Sequence, residues 1–176
     1  MKYIMSFELF EDGGPKEFGC SMVYFDMPCM EALHKIIDAD DIFSDADGGK
    51  GLEKEPHVTL LFGLHKEVSD DDVLDRSTPN KVSDILLHNV SIFENEEFDV
   101  IKFDADAEWL HEVNAKLVKL PNTNKYPDYH PHCTVAYVKA GTGKKYVKML
   151  SGLQAVVAPT KLVYSKPDGK KPETVL

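Results

Sequence analysis

Apolar and polar positions along the chain predict a series of strands separated by helices and loops. Segments rich in apolar, aromatic and β-branched residues have the composition of strands. Predicted strands cover 18–26, 57–64, 90–94, 98–104 and 132–138, and 153–158 with 161–165 forms a predicted terminal hairpin. The run after His57 is mostly apolar, which is typical of a strand covered on both faces.

Helical spacing marks the other elements. An amphipathic helix is predicted after Pro28 from the spacing of Met30, Leu33, Ile36 and Ile37, and a second apolar stripe predicts a helix over 110–120. Ser69 with Asp72 resembles a capping signal. Shorter helices are predicted from Ser69, over 80–87 and over 144–150, and loops over 38–54 and 121–131.

The order of these elements repeats. Each half of the chain runs strand, amphipathic helix, loop, and then a strand that opens with Pro-His-x-Thr, at 56–59 and again at 131–134. We therefore predict an α+β fold in a single domain over residues 1–176, with two pseudo-symmetric lobes around a central cleft. Each lobe has an antiparallel sheet and a covering helix. A pseudo-two-fold axis would bring the two His-x-Thr motifs face to face.

The paired motifs suit acid–base chemistry on a phosphate. Residues i and i+2 of a strand share a face. The predicted site faces are therefore His57, Thr59 and Leu61 on one strand, and His132, Thr134 and Ala136 on the other. One imidazole can accept a proton while the other donates one, and threonine hydroxyls can donate to phosphate oxygens as charge develops. Which histidine is the base is left open by two nearly identical motifs.

Charge limits the substrate. Lys and Arg number 20 against 30 Asp and Glu, so the net charge of −10 disfavours long nucleic acids and leaves a small phosphorylated ligand. An odd count of 3 cysteines without CxxC spacing favours a reducing cytoplasm. No apolar run approaches the roughly 18 residues of a membrane span.

Other candidate sites are weaker. His130, His132 and Cys133 lack the further ligands of a tetrahedral metal site, so no metal and no cofactor are expected. The segment 141–145 lacks the spacing of a phosphate-binding P-loop. Trp109 is predicted in the core, whereas Tyr24 and Tyr164 are candidates for stacking on a base, which contributes about 1–3 kcal/mol per base.

The segments EKEPHVTLLFGLH (53–65) and YHPHCTVAYVKAG (129–141) resemble the two signature motifs of the 2H phosphoesterase superfamily. The resemblance covers most of the chain and implies a bilobal α+β fold with metal-independent catalysis by the paired motifs. The segments 93–104 and 162–171 are similar to small phage-encoded members, the anti-CBASS nucleases. That branch degrades the cyclic di- and trinucleotide alarm signals of the host, which implies action in the host cytoplasm.

The expected function is therefore cleavage of 3′-5′ bonds in cyclic oligonucleotides. Two alternatives remain at this point. One is a 2′,3′-cyclic phosphodiesterase or 2′-5′ RNA ligase acting on RNA ends, which a basic groove would favour. The other is a non-catalytic protein that sequesters cyclic nucleotides, which would not need a matched acid and base.

Overall fold

Two sheets form the framework of the molecule. The computed structural model describes residues 17–44, 50–126 and 128–176. In chain order the elements are β1 (Gly19–Phe25), α1 (Met30–His34), a 3-10 turn (Ala39–Asp41), β2 (His57–Leu64), α2 (Asp70–Ser77), β3 (Ile85–Glu94), β4 (Phe98–Asp106), α3 (Glu108–Leu117), β5 (His132–Lys139), α4 (Gly143–Met149), β6 (Ala155–Val157), β7 (Pro159–Ser165) and β8 (Glu173–Val175).

The two sheets have matching strand orders. Sheet A runs β2-β1-β7-β8, sheet B runs β5-β4-β3-β6, and all neighbouring strands are antiparallel. Each His-x-Thr strand, β2 or β5, is therefore an edge strand of its own sheet. Its neighbour, β1 or β4, is the strand that begins the same half of the repeat. This arrangement is the α+β, two-lobed architecture that the sequence repeat predicts.

Two of the predicted elements are wrong. The segment 80–87 was expected to be helical, but Ile85 and Leu87 are buried with Leu86 between them on the other face, and they begin β3. The pairing of β3 with both β4 and β6 imposes this period of two. The predicted terminal hairpin does not form either, because β6 pairs with β3 in sheet B while β7 pairs with β1 in sheet A.

Long-range pairing also organises the predicted loop 38–54, although its residues 45–49 lie outside the described residues. Ile42 and Leu52 form isolated bridges to β5, and the Tyr137 N–H donates to the Gly51 carbonyl at 2.7 Å. The loop thereby covers the outer edge of β5, as edge strands require. The short strand β8 has no signal in the sequence pattern.

The main buried cluster draws side chains from both sheets and from the helices. Trp109 is buried as predicted, and its indole N–H donates to the Ser83 carbonyl at 3.0 Å. Asn114 on α3 donates to the Leu60 carbonyl of β2 at 2.7 Å, which fixes this helix behind the first motif strand. At α2, Ser69 accepts a hydrogen bond from the Asp72 N–H, which confirms the predicted cap.

In the described part of the chain, no helix combines the length and the hydrophobicity that crossing a membrane requires. The single-domain prediction extends over residues 1–16, which lie outside the described residues.

Candidate active site

The two motif strands lie against each other although they belong to different sheets. The backbone N–H of His57 is hydrogen-bonded to the Cys133 thiol, and burial raises the pKa of that thiol to about 12. His57 is also close enough to His132 for its charge to lower the pKa of the His132 ring. The fold therefore brings together the two histidines that the sequence motifs single out.

A β-bulge in each motif strand determines which side chains accompany the histidines. On β2, Thr59 pairs with Met22 but Leu61 pairs with the adjacent Ser21, so Leu60 is the extra residue. The bulge reverses the alternation beyond Thr59. Phe62 then packs with Met22 on the face that carries the motif, whereas Leu61 is buried in the main core.

The same bulge occurs on β5. Thr134 pairs with Lys102 and Ala136 with the adjacent Ile101, so Val135 is the extra residue. Ala136 joins the main core, and Tyr137 packs on the other face. The prediction that Leu61 and Ala136 extend the site faces is therefore wrong, because strict alternation does not survive a bulge. We call the two sheet surfaces that carry His57, Thr59, His132 and Thr134 the motif faces.

Both imidazoles are held in the same way. Nδ1 of His57 lies 2.8 Å from the Glu55 carbonyl oxygen, and Nδ1 of His132 lies 2.8 Å from the His130 carbonyl oxygen. A carbonyl oxygen can only accept, so each Nδ1 carries the proton and Nε2 is the ring nitrogen that can exchange a proton with a substrate. Both rings are therefore oriented and held in one tautomer, as acid–base catalysis requires.

Each histidine has an aromatic neighbour. The Tyr24 ring lies 5.2 Å from the His57 ring at a tilt of 31°. The Phe93 ring lies 5.0 Å from the His132 ring in an edge arrangement at 87°. Tyr24 is thus placed beside a motif histidine, consistent with its candidacy as a stacking residue.

Tyr164 is placed elsewhere. It pairs with Ser21 on β7, has no exposed surface and packs in the main core, where its ring lies against Gly19. Burial raises the pKa of its phenol. The prediction that Tyr164 stacks on a base is corrected. Tyr164 lies three positions after Lys161, the register partner of Tyr24, and this odd offset points it to the opposite face.

The two threonines differ in exposure. Thr59 is partly buried and its backbone carbonyl accepts a hydrogen bond of 2.9 Å from the Tyr129 hydroxyl. Thr134 is only 8% exposed. Their register partners also differ, because Met22 lies beside Thr59 and Lys102 lies beside Thr134.

A cluster of charged and polar side chains on β3 and β4 was not predicted from the sequence. The buried Lys102 ammonium lies 2.5 Å from Asp104 Oδ1, donates to Ser91 Oγ at 2.9 Å, and lies 4.7 Å from the centre of the Phe93 ring. Asn89 donates to the other Asp104 oxygen at 2.5 Å, from a backbone with φ of +49°. The signal was available, since Lys102 and Asp104 share a face of the strand that the repeat places beside the second motif.

These surroundings change the ionisation of the site. Burial is the largest cause that lowers the pKa of His132, to about 4, and the charges of Lys102 and His57 lower it further. The His130 carbonyl and the Asp104 carboxylate oppose this effect. Partial burial opposes ionisation of Asp104, but hydrogen bonds from Lys102 and Asn89 outweigh it and lower the pKa of that carboxyl. At neutral pH His132 is uncharged beside an ion pair.

Within residues 17–44, 50–126 and 128–176, no group of three or more His, Cys, Asp or Glu side chains is arranged to hold a metal ion.

Known proteins resemble the chain in structure. No protein-family model and no curated protein matches its sequence. Usb1 from Kluyveromyces marxianus aligns with a TM-score of 0.57 and 10% identity, covering 92% of this chain and 99% of Usb1. The same protein with uridine monophosphate aligns with a TM-score of 0.55 and 9% identity, over 93% of this chain and 100% of that one. Escherichia coli LigT complexed with phosphate gives 0.42 and 14%, over 92% and 96%.

At these identities the likeness establishes the fold alone. The chain has the predicted bilobal α+β fold, with one antiparallel sheet in each lobe, and it shares this fold with Usb1.

Proposed function

We propose that this protein is a metal-independent phosphodiesterase that cleaves 3′-5′ bonds in cyclic di- and trinucleotides. One observation carries the proposal: His57 and His132 come together from two lobes, with each Nδ1 tied to a carbonyl oxygen two residues upstream. A structural role for either ring needs no such match. A pair of imidazoles whose Nε2 can exchange a proton with a substrate is what concerted proton transfer requires.

The reaction balances without water or metal. One imidazole removes the proton from a ribose 2′-hydroxyl, whose oxygen forms a bond to the adjacent phosphorus. The bond from phosphorus to the 5′-oxygen breaks, and the second imidazole protonates that oxygen. The products are a linear oligonucleotide with a 2′,3′-cyclic phosphate at one end and a 5′-hydroxyl at the other. The hydroxyls of Thr59 and Thr134 donate to the non-bridging oxygens as negative charge grows.

Three features support a small nucleotide as the ligand. The net charge of −10 disfavours tracking along a long polyanion. Tyr24 and Phe93 flank the two histidines with aromatic rings, which suit base stacking. Usb1, a protein of similar fold, has been solved with uridine monophosphate. Together with the similarity of segments 93–104 and 162–171 to anti-CBASS nucleases, these features favour cyclic immune signals of the host as substrates, destroyed in the host cytoplasm.

The direct test is incubation of the purified protein with a panel of 3′-5′ cyclic di- and trinucleotides in excess EDTA. Chromatography with mass spectrometry should show linear products that carry a 2′,3′-cyclic phosphate. Loss of activity on chelation, restored by a divalent cation, would overturn the metal-independent mechanism.

The same assay separates the alternatives. A linear RNA that ends in a 2′,3′-cyclic phosphate should be a poorer substrate than the cyclic dinucleotides. The reverse preference would favour an enzyme of RNA ends. Tight binding of a cyclic nucleotide that is recovered intact would make the protein a sequestering module.

A further inference from the structure

The two motif strands match row by row, but the strands beside them do not. His57, Thr59 and Phe62 on β2 correspond to His132, Thr134 and Tyr137 on β5, because both strands carry the same bulge. On the neighbouring strands the register partners of His57 and Thr59 are Tyr24 and Met22. The register partners of His132 and Thr134 are Asp104 and Lys102. An ion pair in one lobe thus stands where the other has an aromatic ring and a thioether.

We propose that Lys102 is a positioning residue that assigns the two proton-transfer roles, so that His132 removes the proton from the nucleophile and His57 protonates the leaving group. This inference rests on the proposed function.

The geometry of Lys102 supports this role. Its side chain is nearly inaccessible, and its ammonium is fixed by Asp104 at 2.5 Å, Ser91 at 2.9 Å and the Phe93 ring at 4.7 Å. Phe93 is also the ring that packs edge-on against His132. The ammonium is therefore held in one place against Phe93, the neighbour of His132, whereas an exposed lysine would be screened by solvent.

The charges that face His132 come from two strands. From β4 Lys102 opposes protonation of the ring and Asp104 favours it, and from β2 His57 opposes it. On β3, Phe93 carries no charge, and the charge of His88 lowers the pKa of the Asp104 carboxyl. Asp104 is itself engaged by Lys102 and Asn89, so its charge is largely balanced. An uncharged ring with a proton on Nδ1 is the starting state of a general base.

The other lobe lacks this arrangement at the corresponding row. Met22 accepts a long hydrogen bond of 3.8 Å from the Tyr24 hydroxyl, and Tyr24 stacks on His57. The lysine of β7, Lys161, does lie 5.7 Å from the centre of the Tyr24 ring, but it is partly exposed and pairs with Glu173 at 2.8 Å, so solvent screens its charge. A general acid must begin protonated, and the lobe without an ammonium beside its threonine is the better place for it.

The influence of Lys102 can be measured without any substrate. Lys102→Met installs the residue that the other lobe has, and NMR titration of the imidazole signals of the whole protein reports the pKa of His132. In the wild type that pKa should lie well below its usual range. Lys102→Met should raise it, because a repelling cation is lost and the negative charge of Asp104 is no longer balanced by the ammonium. Lys102→Arg, which keeps the charge, should keep it low. Lys161→Met is the matched control and should leave it unchanged.

The roles themselves are tested with a modified leaving group. In a substrate whose 5′-bridging oxygen is replaced by sulfur, the thiolate departs without a proton, because thiols are far more acidic than alcohols. On the oxygen substrate, each of His57→Ala and His132→Ala should lose roughly 10²–10⁴-fold in kcat. On the sulfur substrate His57→Ala should recover to within about tenfold of wild type, whereas His132→Ala should stay impaired.

The possible outcomes are distinct. Recovery of His132→Ala and not of His57→Ala would overturn the assignment of roles. If Lys102→Met has a wild-type melting temperature and an unchanged pKa of His132, only the proposed action of Lys102 is overturned. A wild-type protein that cleaves neither substrate would overturn the proposed function, whatever the titration shows.

Discussion

His57 and His132 share a tautomer and a hydrogen-bonding pattern, so each should be needed for turnover. We expect His57→Ala and His132→Ala each to lower kcat on a cyclic dinucleotide by roughly 10²–10⁴-fold, the contribution of one acid or base. His65→Ala is the matched control, because that ring binds Thr123 at the other end of β2. Thermal melts of the motif variants should stay near wild type. Near-normal kcat in either motif variant would refute the two-histidine mechanism.

We propose that the threonines act in the same step as the histidines, by donating hydrogen bonds rather than by transferring protons. Thr59→Val and Thr134→Val each remove a hydroxyl at nearly constant volume, and kcat should fall roughly 10–10³-fold, as for loss of one transition-state donor. The affinity for an uncleavable phosphorothioate analogue, measured by calorimetry, should change much less. Equal losses in affinity and in kcat/KM would instead identify the hydroxyls as ground-state contacts.

At the scale of single strands, the sequence predicted where the motifs lie but not which residues accompany them. His57 and Thr59 share a face as the period of two requires, and the same holds for His132 and Thr134. Beyond each threonine a bulge reverses the alternation, and a bulge depends on pairing with a distant strand rather than on local composition. Pairing with a distant strand is also why the segment 80–87 was wrongly predicted as a helix, since its last residues pair with β6 and begin β3.

The end of β2 offers a test of one such long-range contact. Gly63 has φ of +95° and its carbonyl accepts from the Thr123 N–H at 2.8 Å, so a Cβ there would collide with the Thr123 backbone. We expect Gly63→Ala to lower the free energy of unfolding, measured by urea denaturation, by about 1–3 kcal/mol. Gly152→Ala is the control, because Gly152 has φ of +81° and open space around it, and should cost less. If both variants lose the same free energy of unfolding, the cost comes from the backbone conformation of the glycine and not from the contact with the 121–124 segment.

At the scale of the whole molecule, the internal repeat predicted the two matched sheets, because each His-x-Thr strand follows the same order of elements. The close approach of the two motif strands was predictable for the same reason. The repeat did not predict the difference between the two lobes. Lys102 and Asp104 occupy the positions of Met22 and Tyr24, and only the register of β4 on β5 brings that pair beside Thr134 and His132. Tyr164 shows the converse error, since an aromatic residue on a motif-bearing sheet can still face the core.

We propose that the two lobes supply proton transfer to a nucleophile that belongs to the substrate. The measurement that tests it most directly compares a cyclic dinucleotide with its 2′-deoxy counterpart, both in excess EDTA, with products resolved by mass spectrometry. The ribose substrate should yield a linear product with a 2′,3′-cyclic phosphate, and the deoxy substrate should remain intact although its phosphates can still bind. Cleavage of the deoxy substrate at a comparable rate would contradict the account, because water would then be the attacking group.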